Sequence, residues 1–263
     1  MAGSLSNHAE TLILKWLLTD ESVSRPAARF VAMHTSAPGE NGSLAEVLSL
    51  GRKSMTYGAP ANGKITSASA ASFTTSLQNG FFLSHWSNWD AGSAGNCLGW
   101  GTLKTAIRIG GPAIGKNEKA PPTTKTFNIG ALLCQARGLT PHAKDLALNW
   151  LFRSVAVTRP AGQFLALHRL PPGDGGNIGE IIASGYGRIA AGFDAPAGGV
   201  VRNADDLTFG PAGEAWPPVN YYSIWDAESD GNCLMTGTFK EKFQVESGES
   251  LLFAGGGLVI RAN

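Results

Sequence analysis

The chain has 263 residues, 43% hydrophobic and 16% charged, and its 21 basic and 20 acidic residues leave a net charge of +1. That balance lacks the basic excess that a nucleic-acid groove or an anionic-membrane surface requires, and no apolar stretch nears the roughly 20 residues that span a bilayer. The length allows one or two domains, with enough apolar residues for a real core.

The chain opens with MAGSLSNHAETLILKWLLTD, which has no basic leader and carries Glu10 beside its short apolar run. This is not the pattern of a secretory signal, and synthesis in a cytoplasm is expected. Ala9, Leu12, Ile13, Trp16 and Leu17 recur at helical spacing, so a short amphipathic helix is predicted, capped by Ser6 or Asn7. Its stripe is expected to dock on the body of its own repeat. Beyond the helix, short β-prone pieces alternate with Gly- and Pro-rich turns, the rhythm of a sandwich or barrel.

WDAGSAGNCLGWGTL begins at Trp89, and WDAESDGNCLMTGTF begins at Trp225 with ten of fifteen positions identical. The flanking segments repeat as well. His8, Trp16, Phe30 and His34 fall on His142, Trp150, Phe164 and His168, and Gly51 and Phe73 fall on Gly187 and Phe209. The polar KNEKAPPTTK stretch from Lys116 is the extra material in the first copy. Two tandem repeats are therefore expected, 1–137 and 138–263, with the boundary near Arg137 and Gly138. Thr140 and Pro141 supply an N-cap and a first-turn proline for the second helix. The fold class read from these signals is mainly β: two tandem antiparallel β-sandwiches, each preceded by a short amphipathic α-helix.

The repeated motif reads as a structural β-hairpin built from Trp89, Asp90, Gly95, Asn96 and Cys97, and again from Trp225, Asp226, Gly231, Asn232 and Cys233. Asp, Ser, Gly and Asn suit a tight turn. Asp90 and Asp226 are expected to accept backbone N–H groups inside it, with the Trp as a buried anchor. Nothing in the spacing brings His8, His34, His142 or His168 to either Cys as a base, so the thiols read as small core side chains. An intermolecular disulfide stays open as a lesser reading, because the third cysteine, Cys134, is not repeated. Glu46 and Glu180 repeat, and His34 with Glu46 is a conceivable metal-ligand pair, but no zinc or calcium spacing exists; no catalytic residue, cofactor or metal is assigned. Trp86, Trp100 and Trp216 are not repeated. They are therefore the candidates for an interface or ligand surface.

The segment GEIIASGYGRIAAGFDAPAGGVVRNADDLTFGPA, followed by WPPVNYYSIWDAESDGNCLMTGTF, resembles a small β domain of tailed-bacteriophage virion proteins, of tail-fibre-like, collar or capsid-decoration type. The likeness rests on Glu180, Gly185, Tyr186, Arg188, Asn203, Phe209, Trp216, Asp226, Gly231 and Asn232. In the first copy it rests on Arg52, Phe73, Asp90, Gly95 and Asn96, and the Tyr before the Arg is lost. The resemblance implies an antiparallel β-sandwich without catalytic residues. It also implies a virion location, after synthesis in the host cytoplasm. The role it implies is virion architecture, without a particular part of the virion; two Gly-rich, charge-poor sandwiches add the expectation of a structural protein of neck, tail or head that assembles symmetrically with other virion proteins and as a homo-oligomer. A receptor- or host-glycan-binding fibre module is the alternative, and a polysaccharide-degrading enzyme the remote one.

Overall fold

The structure is a computed structural model, and it describes residues 3–19, 21–75, 81–109, 123–127, 132–133 and 139–261. Most of the KNEKAPPTTK stretch, Cys134 and the 137/138 boundary lie outside the described residues.

The chain forms two compact units, and neither is one uninterrupted stretch of sequence. Unit 1 comprises Met1–Glu10, Ser24–Gln135 and Leu148–Ala156, and unit 2 comprises Thr11–Val23, Ala136–Ala147 and Val157–Asn263. The strands of unit 1 are β1 (Gly3–Leu5), β2 (Phe30–His34), β3 (Lys53–Ser54), β4 (Lys64–Ile65), β5 (Ala71–Thr75), β6 (Phe81–Trp89), β7 (Cys97–Ile109), β8 (Thr123–Phe127) and β9 (Leu132–Leu133). They form a five-stranded antiparallel sheet in the order β1-β7-β6-β2-β3, with the pairs β4-β9 and β5-β8 beside it. β2 lies inside the sheet, and its residues Val31–His34 are all buried, as for a strand covered on both faces.

Unit 2 repeats the plan with β10 (Phe164–His168), β11 (Ile189–Ala190), β12 (Val200–Arg202), β13 (Leu207–Phe209), β14 (Val219–Trp225), β15 (Cys233–Phe243), β16 (Leu251–Phe253) and β17 (Val259–Arg261). Its main sheet runs β11-β10-β14-β15, with the pairs β12-β17 and β13-β16. Phe239 of β15 stacks on Phe253 of β16 at 5.2 Å between ring centroids, and Phe209 of β13 meets Phe253 edge-on at 6.4 Å. The main sheet and the small pairs are thus the two layers of a sandwich, with aromatic rings between them.

The two helices are α1 (Asn7–Leu18) and α2 (Pro141–Phe152). Ser6 caps α1 and Thr140 caps α2: each hydroxyl oxygen accepts the N–H of Ala9 or Ala143 at 3.2 Å. Each capping hydroxyl also donates outward, Ser6 to the carbonyl of Cys97 and Thr140 to that of Cys233 at 2.5 Å. Each helix start is therefore tied to the first residue of the long hairpin strand of its own repeat.

The helix ends correct the expectation of docking within one repeat. The last eight residues of α1 belong to unit 2, and Leu148–Phe152 of α2 belong to unit 1. Helix ends leave four carbonyls without intrahelical partners, and a buried end needs donors from elsewhere. In unit 1, Arg29 donates from Nε and Nη2 to Leu151 O at 2.8 and 2.6 Å. In unit 2, Gln163 Nε2 donates to Leu17 O at 3.0 Å. Arg29 and Gln163 occupy matched repeat positions, as do Leu151 and Leu17, so the exchange is reciprocal.

Candidate functional site

The hairpin has the same internal geometry in both units. Asp90 Oδ1 accepts the Asn96 N–H at 2.7 Å, and Oδ2 accepts from Asn96 Nδ2 at 2.9 Å. Asp226 holds Asn232 in the same way, at 2.6 and 2.9 Å. Gly95 and Gly231 turn the corner at φ +73° and +71°, a region that favours glycine. Trp89 opposes Cys97 across the strands and Trp225 opposes Cys233. Both cysteines are buried free thiols, and burial pushes each up to about 12, so neither is a thiolate near neutral pH.

Below the hairpin runs a chain of hydrogen bonds through side chains that sequence spacing does not connect. His34 Nδ1 lies 2.8 Å from the carbonyl of Leu44, so that nitrogen carries a proton. Its Nε2 lies 2.6 Å from Ser87 Oγ, and Trp89 Nε1 donates to the same oxygen at 2.7 Å. Burial lowers the His34 pKa and keeps the ring neutral. Trp89 therefore donates to Ser87, Ser87 donates to His34, and His34 donates to Leu44. Unit 2 repeats the chain through Trp225, Ser223, His168 and the carbonyl of Ile178 at 2.7, 2.6 and 2.9 Å. Both His–Ser pairs are fully buried, so substrate has no access to them. A closed network of this kind fixes one arrangement of its surroundings.

Above the same tryptophans lies an arginine. Arg52 pairs with Glu46 through Nε–Oε1 at 2.9 Å and Nη2–Oε2 at 3.0 Å, and its guanidinium carbon sits 3.4 Å from the Trp89 ring centroid. Its Nη1 reaches the hairpin carbonyls of Ala91 and Ala94. Arg188 repeats this with Glu180, Trp225, Ala227 and Asp230. Glu46 and Glu180 are thus partners of arginine, while His34 and His168 meet them only through backbone bridges. Among the described residues no three His, Cys, Asp or Glu side chains converge to hold a metal ion.

What these contacts hold in place is a loop. Residues 35–47 and 169–181 share one backbone hydrogen-bond pattern: Gly42 N–H to Gly39 O and Leu44 N–H to Pro38 O in unit 1, with Gly176 to Gly173 and Ile178 to Pro172 in unit 2. A Cβ on Gly42 or Gly176 would overlap the Cys97 or Cys233 sulfur and the edge of the tryptophan, so only glycine lets the loop pack there. Leu44 and Leu48 are 63% and 78% exposed, and their counterparts Ile178 and Ile182 are 50% and 94% exposed. The sequence carries the signal as PGENGSLAEV against PGDGGNIGEI, a second shared motif in step with the hairpin.

The non-repeated tryptophans stand differently from the surface expectation. Trp86 and Trp216 are fully buried, and Trp100 is half-buried on β7, opposite Ser4 of β1. Trp216 packs edge-on against Tyr186 at 5.6 Å and donates Nε1–H to Ser184 O at 3.2 Å. Trp86 and Trp216 are core residues: large rings on inward-facing positions are drawn out of water whether or not they are repeated.

The model of the family described as Podophage GP4 fiber I protein gp80 matches the chain twice, over residues 4–111 and 138–261. The chain belongs to this family. It is a bacteriophage fibre-family protein of the virion, built from two tandem copies of one domain. No curated protein matches the chain. The two repeats share a pair of exposed aliphatic side chains at matched positions, Leu44 and Leu48 in the first and Ile178 and Ile182 in the second, and Leu170, 48% exposed, adds a third in the second repeat.

Proposed function

We propose that this fibre-family protein is a non-catalytic building block that assembles symmetrically, as a homo-oligomer and with other virion proteins, through the aliphatic pairs Leu44/Leu48 and Ile178/Ile182. The observation that carries the reading is the exposure of both pairs at matched repeat positions. Aliphatic side chains held in water on a braced loop suit a partner surface. The two regions matched by the family, 4–111 and 138–261, support repeats bounded near residues 137 and 138. Repeats of one shape give two equivalent contacts to symmetric neighbours.

The test is incorporation into particles. Phage propagated with the Leu48→Glu/Ile182→Glu protein as the sole copy should carry markedly less of it, while the purified protein keeps its melting midpoint. Full incorporation of that variant ends the proposal. The non-catalytic part has its own test, in which host capsule or lipopolysaccharide incubated with the protein releases no reducing sugar.

A further inference from the structure

We propose that the 169–182 segment of unit 2 docks on the same segment of a second copy of this chain, about a two-fold axis. This rests on the assembly reading and deepens it: it names the partner of one loop and separates the roles of the two repeats. Unit 2 carries the larger apolar face, with Leu170, Ile178 and Ile182 exposed at 48%, 50% and 94%. The equivalent of Leu170 in the first repeat is Ser36.

The loop's own glycines bring Leu170 and Ile178 side by side. The Arg169 N–H donates to the Gly179 carbonyl at 2.9 Å, and a Cβ on Gly179 would come within 2.7 Å of the Leu170 Cβ. Leu170 thus lies against the residue that follows Ile178. A Cβ on Gly173 would come within 2.9 Å of Ile178 Cδ1, so Ile178 covers the residue just before Asp174. The order along the loop face is therefore Arg169, Leu170, Ile178, Asp174. Aliphatic side chains stand between a cation at one end and a carboxylate at the other.

The charges make this face complementary to itself. Arg169 and Asp174 are both exposed, and neither forms an ion pair among the described residues. Glu180, the other acidic group of the loop, is already paired with Arg188 at 2.9 Å. In a two-fold contact, residue i of one copy meets residue j of the other, and j meets i. Arg169 of each copy then faces Asp174 of the other, and the aliphatic side chains between them leave water. The first repeat lacks this complementarity. Thr35, Ser36 and Glu40 stand at the positions of Arg169, Leu170 and Asp174, and Glu40 accepts the Asn7 N–H at 3.2 Å. Two such loops would bring carboxylates together with no cation to meet them, so the loop of unit 1 is left for a different neighbour.

Sedimentation velocity of the full chain over a concentration series tests the contact. The protein should dimerise with a Kd of about 100 µM or tighter. Ile182→Glu should weaken dimerisation by about 10-fold or more, whereas Leu48→Glu should leave it unchanged. Arg169→Glu should weaken it by about 5-fold or more, and adding Asp174→Arg should restore it, with every variant keeping the melting midpoint of the unmodified chain. A monomer at every concentration overturns the proposal, as does dimerisation that survives Ile182→Glu, is lost in Leu48→Glu or is not restored by the charge exchange. A monomeric protein whose Leu48→Glu/Ile182→Glu form still fails to enter particles overturns this pairing alone and leaves the assembly reading in place.

Discussion

The guanidinium carbon of Arg188 lies 3.7 Å from the centroid of the Trp225 ring, while the same guanidinium forms two parallel bonds to Glu180. One planar cation thus joins a core tryptophan, a loop carboxylate and the hairpin carbonyls. Lysine cannot reproduce a flat stacked fork. Arg188→Lys should destabilise unit 2 by about 1–3 kcal/mol, and Arg52→Lys should do the same in unit 1. Chemical denaturation of each variant reads this directly; a loss below the error of the measurement would make the stack incidental.

Asp226 accepts a backbone and a side-chain donor from Asn232. Asp226→Ala removes both bonds and should cost about 1–2 kcal/mol. Asp90→Ala should cost a similar amount. An unchanged thermal midpoint in both would show that the corner holds its turn without the carboxylate.

The buried histidines set an acid limit. Burial lowers the pKa of His34 and His168 in the folded chain below the ordinary 6.5. Below that value the unfolded chain binds more protons than the folded one, so their stability contribution is complete above about pH 6.5. It is lost as pH falls toward the folded-state values. In a Glu10→Gln background, which removes an opposite titration over the same range, the melting midpoint should drop between about pH 7 and 5, and adding His34→Gln/His168→Gln should flatten that slope. Parallel slopes would remove the histidines from the account.

Glu10 acts in the opposite sense. Burial, and then the neighbouring Glu40, raise its pKa from 4.5 to about 7. The folded state therefore holds a proton that the unfolded state has released, and stability is lost as pH rises through about 7. Glu10→Gln should raise the midpoint at pH 8, by an amount equivalent to about 1–3 kcal/mol, and have little effect at pH 4. Equal effects at both pH values would point to packing instead of charge. This variant also serves as the background in which the histidine slope is best resolved.

The thiols should be silent in the native protein. Cys97 and Cys233 are buried, with both thiols pushed up to about 12 by burial. In a Cys134→Ser background, Ellman's reagent should label neither until denaturant is added. Rapid labelling of the folded chain would mean that the hairpin opens at the tryptophan–cysteine pair.

The sequence by itself determined the duplication, the mainly antiparallel β class, the two capped helices and the hairpin corners, because these depend on local spacing. Helical period, turn residues and a motif written twice are all read along the chain. Only the tertiary structure decided which groups meet across distance. His34 finds Ser87 on another strand, Arg52 finds Trp89, and Arg29 finds the end of a helix from the second repeat. Repetition alone misplaced Trp86 and Trp216, because burial depends on which face of a folded strand or loop a ring occupies. The aliphatic pairs were likewise unreadable in advance, since a leucine in a Gly-rich loop becomes a surface feature only once the backbone beneath it is pinned.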